Sequence, residues 1–185
     1  NYASAKRKLT NVEIDDKTGK EVSWDQDFVK WNFKDDADLA VRPLSFSVAF
    51  NFSNTDASYL SDYQVKWQYD KDSNSYLRFN GGKPHMDLNT NQQLLAKNVV
   101  VEFMAMSIAD DGYSEDGHGS HTLYADKGTG KAMFFLDGKA VNGTWKKKDR
   151  LARTQCFDVN GAEVKLNKGL TWIEVLPIGQ KVDIQ

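Results

Sequence analysis

Residues 63–80, YQVKWQYDKDSNSYLRFN, carry the pattern that decides the fold. In the first half of this stretch bulky and polar side chains alternate, which is the period of a β-strand with one buried face. The polar residues KDSN at 71–74 predict a turn, and SYLRFN predicts the strand that returns from it. The stretch therefore predicts an antiparallel hairpin, and the side chains expected to share its buried face are Tyr63, Val65, Trp67 and Tyr69.

Similar patterns on both sides extend the prediction from one hairpin to a β domain. NVVVEFMAMSI (98–108) begins with a continuous apolar run, which predicts a strand that is covered on both faces. Asp137-Gly138 lies between two apolar runs and predicts a tight hairpin turn. Short strands, frequent turns and no βαβ alternation together predict a mainly β fold, either an antiparallel sandwich or a barrel-like sheet, with at most one or two short helices. In LSFSVAFNFS (44–53), alternation predicts one buried face made of Leu44, Phe46, Val48, Phe50 and Phe52.

Residues 1–43 carry weaker patterns than the rest of the chain. A polar turn at 15–20 separates two weakly alternating pieces, which predict a hairpin. WDQDFVKWNF (24–33) fits either a short helix or an extended segment. Residues 34–43 predict a loop or linker, so we expect the β domain to span residues 44–185.

The charge balance argues against one broad class of partner. The 24 Lys and Arg residues and 26 Asp and Glu residues give a net charge of −2. A protein that follows a phosphate backbone usually shows a basic excess, so we expect no nucleic acid among the partners. The densest basic stretch combines Lys146, Lys147 and Lys148 with Arg150 and Arg153, and it predicts a solvated strand end or turn.

The cysteine count and the hydropathy pattern limit which disulfides and membrane-spanning helices the chain can form. Cys156 is the only cysteine, so no intrachain disulfide is available. Its strand-like surroundings, TQCFDV, predict a small buried side chain. No apolar run approaches the roughly 20 residues of a membrane helix. We expect a targeting segment to lie upstream of Asn1.

Arg78, His85 and Asp87 form the first group of residues that could carry chemistry. His85 and Asp87 are two residues apart, so an extended chain would place them on one face. A carboxylate beside a histidine can orient a general base or begin a metal site. The alternative is a turn network in which Arg78 pairs with Asp87. The second interpretation is favoured because the sequence supplies no third catalytic group.

The segment ADDGYSEDGHGSH (109–121) is rich in metal-ligand side chains but lacks a metal-binding spacing. The EF-hand order of acidic residues is missing, and the glycines exclude a helical histidine pair. A solvated loop is favoured, and GTGK (128–131) is expected to be a turn because a complete phosphate-binding loop motif is absent. We expect no cofactor and no metal, and the weak metal candidates are Asp110, Asp111, His118 and His121.

Several separated motifs, in order, resemble one protein family. YQVKWQYDKDSNSYLRFNGGKPHMD, AKNVVVEF, GKAMFFLDGKAVNGTWKK and GLTWIEVLP are similar to the C-terminal domain of the YerB-like bacterial lipoproteins, a domain of unknown function. The similarity spans residues 58–177. NYASAKRKL resembles the end of that family's N-terminal domain, which implies that residues 1–43 are a remnant of that domain plus a linker. Arg78, His85 and Asp87 match the family pattern, and so do five candidates for ligand binding, Trp67, Tyr69, Tyr76, Asn98 and Trp145.

The resemblance implies a location and a broad role. It implies an extracytoplasmic protein that reaches the membrane only through a lipid anchor upstream of this chain. We expect a binding or scaffolding domain at the cell surface, whose partner is a cell-wall polymer or an envelope protein. One alternative is a hydrolase or metal-dependent enzyme that uses Arg78, His85 and Asp87, and another is a carbohydrate-binding module with exposed aromatic side chains. A role without catalysis is favoured because no complete catalytic constellation is visible.

Overall fold

The computed structural model describes residues 12–14, 17–23, 29–52, 58–113 and 121–185. These residues form strands and two short 3-10 helices, Leu39–Val41 and Ser58–Tyr63, which confirms the mainly β fold. In chain order the strands are β1 Val12–Ile14, β2 Glu21–Ser23, β3 Phe33–Lys34, β4 Ser47–Asn51, β5 Gln64–Asp70, β6 Ser75–Asn80, β7 Lys83–Pro84, β8 Leu95–Ala96, β9 Asn98–Met104, β10 Met106–Ile108, β11 Thr122–Tyr124, β12 Gly128–Leu136, β13 Lys139–Lys147, β14 Gln155–Asp158, β15 Leu166–Asn167, β16 Thr171–Pro177 and β17 Asp183–Ile184.

The chain divides into two compact units, residues 1–31 and residues 32–185. In the first unit β1 and β2 pair in antiparallel fashion, which confirms the hairpin predicted around the polar turn. Residues 24–28, on which the choice between helix and strand depends, lie outside the described residues. In the second unit β3 pairs in parallel with β15. The domain boundary predicted at residue 43 stays a prediction.

One sheet of the second unit contains the hairpin that opened the sequence analysis. Its order is β17-β4-β5-β6-β7, β8 also pairs with β6, and all neighbours are antiparallel. Val65, Trp67 and Tyr69 are buried as predicted. Leu44 and Tyr63 are not: they are 87% and 55% exposed. Both predictions were wrong because Leu44 precedes β4 and Tyr63 ends a 3-10 helix, so neither follows the strand alternation.

The second sheet has the order β14-β13-β12-β9-β16. It is mixed, since β16 runs parallel to β9 while the other neighbours are antiparallel. β9 is buried on both faces from Asn98 to Glu102, as its continuous apolar run predicted. Asp137 and Gly138 form the tight turn between β12 and β13, and both have positive φ, which that turn type requires.

The two sheets pack face to face around one apolar core, which makes a sandwich. Burying this much apolar surface is the main force that holds the sheets together. The core side chains come from both sheets and are Val48, Phe50, Val65, Trp67, Tyr69, Tyr76, Ala96, Val99, Val101, Phe135 and Leu176.

Outside the central core the prediction of a small buried side chain at Cys156 is confirmed. Cys156 is buried, and this burial raises the pKa of its thiol to about 12, so the side chain is unreactive near neutral pH. No helix among the described residues is long and apolar enough to span a membrane.

Candidate functional site

Arg78 points into the core of the sandwich. It lies opposite Trp67 in the β5–β6 pairing, and strand alternation turns both side chains toward the second sheet. The residue is only 5% exposed. Its guanidinium carbon lies 5.6 Å from the ring centroid of Trp67 and 5.1 Å from that of Trp172. Both indoles therefore make cation–π contacts that offset part of the lost hydration.

Glu174 supplies the negative charge that Arg78 needs. It lies on β16 and faces the same core, and its Oε1 accepts hydrogen bonds from Arg78 Nε at 3.3 Å and from Trp67 Nε1 at 3.0 Å. Burial raises the pKa of the Glu174 carboxyl, although Arg78 opposes the shift. Sequence reasoning missed this residue. The available signal was a glutamate at an inward position of LTWIEVLP, in phase with Trp172 and Leu176.

His85 completes the group from the edge of the first sheet. Arg78 Nη1 donates to His85 Nδ1, so the neutral ring carries its proton on Nε2. The backbone is fixed as well, because His85 N donates to Arg78 O at 2.9 Å and Leu94 N donates to His85 O at 2.8 Å. Burial and the Arg78 charge lower the pKa of His85. We name Trp67, Arg78, His85, Trp172 and Glu174 the Arg78 cluster.

Asp87 does not belong to the Arg78 cluster, and the predicted pairing of Arg78 with Asp87 is wrong. Asp87 Oδ1 accepts hydrogen bonds from Asn89 N at 2.9 Å, Thr90 N at 2.8 Å and Thr90 Oγ1 at 3.0 Å. The chain turns here, since Asn91 N donates to Asp87 O. These hydrogen bonds lower the pKa of Asp87, which serves as a local turn cap.

A second buried polar group lies around Asp137, at the β12–β13 turn. Asp137 Oδ1 accepts hydrogen bonds from Asn74 Nδ2 at 2.8 Å and from Asn167 Nδ2 at 2.9 Å, and Lys34 pairs with Oδ2. Burial alone would raise the pKa of Asp137, but the hydrogen bonds from Lys34 and Asn74 outweigh it and bring the pKa to about 2. Tyr69 Oη donates to Asn74 Oδ1 at 2.7 Å. We name Lys34, Tyr69, Asn74, Asp137 and Asn167 the Asp137 network.

Asn98 and Tyr76 extend this network into the backbone. Asn98 Oδ1 accepts from Asn167 N at 2.7 Å, and Asn98 Nδ2 donates to Asn167 O at 2.9 Å. Tyr76 Oη accepts from Gly138 N at 2.9 Å, and burial raises the pKa of its phenol. The polar atoms of Tyr69, Tyr76 and Asn98 are therefore used to hold the turn and the strands in place.

Trp67 and Trp145, the other ligand-binding candidates, are buried at separate places. Trp67 belongs to the Arg78 cluster. Trp145 lies on the opposite face of the second sheet and donates from Nε1 to Phe103 O at 3.0 Å. A side chain at Gly130 would collide with this indole, since an added Cβ would lie 2.4 Å from Trp145 Nε1. The structure therefore brings the five candidates to different buried environments and not to one ligand platform.

The weak metal candidates lie around the loop between β10 and β11. His121 Nδ1 contacts Asp111 Oδ2 at 2.7 Å, and the ring stacks on Tyr113 at a centroid distance of 4.1 Å. Asp110 is exposed, and His118 lies outside the described residues. Among the residues that the structure describes, no group of three or more His, Cys, Asp or Glu side chains could hold a metal ion.

Comparison with known proteins places the sandwich in one family. The crystal structure of the YerB protein from Bacillus subtilis matches the fold with a TM-score of 0.68 at 18% sequence identity. The match covers all of this chain and 53% of the YerB chain, so the present chain spans about half of that protein. No protein of curated function matches in sequence. The family model for the C-terminal domain of a protein of unknown function (DUF3048) matches residues 55–173, and the chain belongs to this family.

Proposed function

We propose that this chain is a binding or scaffolding domain at the bacterial cell surface and that it acts without catalysis. The observation that carries the proposal is the internal pairing of the Arg78 cluster. The guanidinium is buried between two indoles, and its hydrogen bonds go to Glu174 and His85. Buried charges that are paired in this way stabilise one arrangement of strands and leave no charge for a substrate.

His85 is poorly suited to act as a general base. Its Nδ1 lone pair accepts the Arg78 hydrogen bond, and its Nε2 carries the proton. Neither nitrogen can take a proton from a substrate unless the contact with Arg78 breaks. The Arg78 charge also lowers the pKa of the ring, which weakens it as a base.

The two alternative functions receive less support from the arrangement of side chains. An enzyme that uses Arg78, His85 and Asp87 would need the carboxylate of Asp87, which caps a turn instead. A carbohydrate-binding module that uses stacked aromatic rings would need exposed indoles, whereas Trp67 and Trp145 are buried. The binding role therefore depends on other surfaces of the domain.

The similarity to the YerB-like lipoproteins supports the proposed location. On this proposal a lipid anchor upstream of the chain holds the protein on the extracytoplasmic side of the membrane, and the domain contacts a cell-wall polymer or an envelope protein.

Photo-crosslinking of the full-length protein in intact cells tests the proposal. A photoreactive residue at Leu88 or Val159, which are 98% and 76% exposed, should give adducts in the envelope fraction. His85→Asn keeps a hydrogen-bond acceptor for Arg78 and should give the same adducts. The proposal is wrong if the protein stays in the cytosolic fraction, or if the purified protein cleaves a wall polymer or nucleotide and His85→Ala abolishes that activity.

A further inference from the structure

The face of the second sheet that packs on the first sheet is only partly covered by the residues that the structure describes. The first sheet covers β9, β16 and one end of β12. The same face continues across β12, β13 and β14 as an open groove of about 680 Å³. Its floor combines apolar side chains with neutral polar ones and one lysine: Phe103, Lys131, Met133, Asn142, Thr144 and Val159.

The strand register places a second lysine on the same face of the sheet, beside this groove. Lys131 lies opposite Thr144, and Lys146 is opposite Thr129, the neighbouring position on the same face. Lys131 and Lys146 are therefore diagonal neighbours, which brings their long side chains within reach of one ligand. Lys147 alternates to the opposite face and pairs with Asp126 at 3.5 Å. The basic run at 146–148 thus divides between two faces, which the linear sequence does not show.

In the part of the chain that the structure describes, the two lysines outnumber the one carboxylate that lines the groove, Asp158. Lys131 and Lys146 are exposed and make no ion pair with a described residue. Asp158 is held in a turn, because its Oδ1 accepts from Asn160 N and Ala162 N, both at 2.9 Å. Glu102 lies opposite Ala132 and points to the other face of the sheet.

We propose that this groove binds a polyol-phosphate chain, that is, a soluble polymer of hydroxylated units joined by phosphodiesters. The inference rests on the proposed binding role at the cell surface. Lysine ammonium groups attract phosphate as point charges and need no fixed planar geometry. Asn142 and Thr144 offer hydrogen bonds to hydroxyl groups, and Met133 and Val159 offer contacts to methylene groups.

An acidic peptide fits this groove less well. Peptides commonly bind β domains by adding a strand to a free sheet edge. Here the outer edge of β14 is occupied by the following chain, because Val164 N donates to Cys156 O at 2.8 Å and Asp158 N donates to Ala162 O at 2.9 Å. A polymer that binds through phosphates and hydroxyls does not need a free strand edge.

Titration of the purified full-length protein with synthetic oligo(glycerol phosphate) tests the inference. Exposed charge pairs contribute roughly 1 kcal/mol or less each, so Lys131→Gln/Lys146→Gln should weaken binding about tenfold. Raised salt should weaken wild-type binding more steeply than it weakens binding by this double variant. Lys66→Gln/Lys139→Gln makes the same charge change on exposed strand positions outside the groove, and it should leave the affinity within about twofold of wild type.

Four outcomes overturn the inference. They are no binding by the wild-type protein, equal losses in the two double variants, tighter binding to poly-glutamate, and binding to phosphatidylglycerol vesicles without binding to the soluble oligomer. Envelope crosslinking separates the proposed binding role at the cell surface from the proposed polyol-phosphate ligand. If adducts form but the oligomer does not bind, the domain keeps its surface role and the polyol-phosphate ligand is wrong.

Discussion

The two buried polar groups of the β domain compensate their charges in different ways. In the Asp137 network neutral amides and one lysine surround a single carboxylate, whose pKa falls to about 2. In the Arg78 cluster a permanent cation lies between two rings and is balanced by one carboxyl. Burial raises the pKa of that carboxyl, Glu174, and lowers the pKa of His85.

Because of this difference, we expect the two groups to respond to different ranges of pH and to different substitutions. Asp137 stays ionised down to strongly acidic pH because its hydrogen bonds favour the charged form. His85 is held neutral by its surroundings, so its protonation opposes the native arrangement in mildly acidic solution. The Arg78 cluster should therefore be sensitive to the loss of one partner and to mild acid, whereas the Asp137 network should be sensitive mainly to strong acid.

The largest expected effect is the loss of the carboxyl at Glu174. Glu174→Leu leaves the guanidinium buried without a counter-charge, and arginine cannot discharge by losing a proton. We expect the free energy of unfolding, measured by urea denaturation, to fall by about 3–5 kcal/mol. Arg78→Met should cost less, because the Glu174 carboxyl can then take up a proton.

The matched control for this prediction is the double variant Arg78→Met/Glu174→Leu, which replaces the pair by apolar side chains. It should be more stable than Glu174→Leu alone. A double-mutant cycle built from the two single variants and the double variant should give a non-zero coupling energy between positions 78 and 174. A Glu174→Leu protein within about 1 kcal/mol of wild type would contradict the importance of the pair.

The next largest effect is the acid response of the Asp137 network. The pKa of Asp137 falls from 3.8 to about 2 on folding, so its contribution is present above pH 3.8 and is lost as pH falls through about 2. Relative to Asp137→Asn, wild type should lose up to about 2 kcal/mol of unfolding free energy across this window. Urea unfolding of both proteins as a function of pH measures this loss. If the unfolding free energies of the two proteins change in parallel with pH, Asp137 does not make the contribution assigned to it.

The smallest expected effect is the response of His85 to mild acid. Its pKa is lowered on folding, so its contribution is present above pH 6.5 and falls as pH decreases through the lowered value. His85→Asn retains an acceptor but cannot titrate, so wild type should lose less than about 1 kcal/mol relative to this variant between pH 7 and 5. The pKa of Glu174 is raised and not lowered on folding, and Glu174 is present in both proteins. The difference in stability between wild type and His85→Asn therefore isolates the contribution of His85. Thermal unfolding of both proteins at pH 7 and pH 5 measures this difference. If the melting temperature of wild type and that of His85→Asn change equally between the two pH values, the Arg78–His85 contact is contradicted.

Local periodicity predicted more of the fold than of the site. The β5–β6 hairpin and the doubly buried β9 follow from alternation and apolar runs over a few residues. The parallel pairing of β16 with β9 could not be predicted this way, because strand neighbours depend on contacts between distant parts of the chain. The alternating pattern wrongly predicts a buried Leu44, because the pattern begins three residues before the strand itself begins at Ser47.

The Arg78 cluster was only partly predictable for the same reason. Arg78 and His85 are seven residues apart, and hairpin geometry predicts that they are close. Glu174 lies 96 residues from Arg78 in sequence, so only the assembled sandwich brings them together. Asp87 was wrongly included because the two-residue spacing implies a shared face only in an extended chain, whereas the chain turns there.

The most direct test asks whether the Arg78 cluster stabilises the fold or carries the function. The measurement is envelope photo-crosslinking of the full-length protein that carries Arg78→Met/Glu174→Leu, together with circular dichroism of the same purified protein. A stabilising role predicts a folded variant with the wild-type adducts in the wild-type amounts. A folded variant that loses those adducts would contradict this account and would place the binding function in the cluster itself.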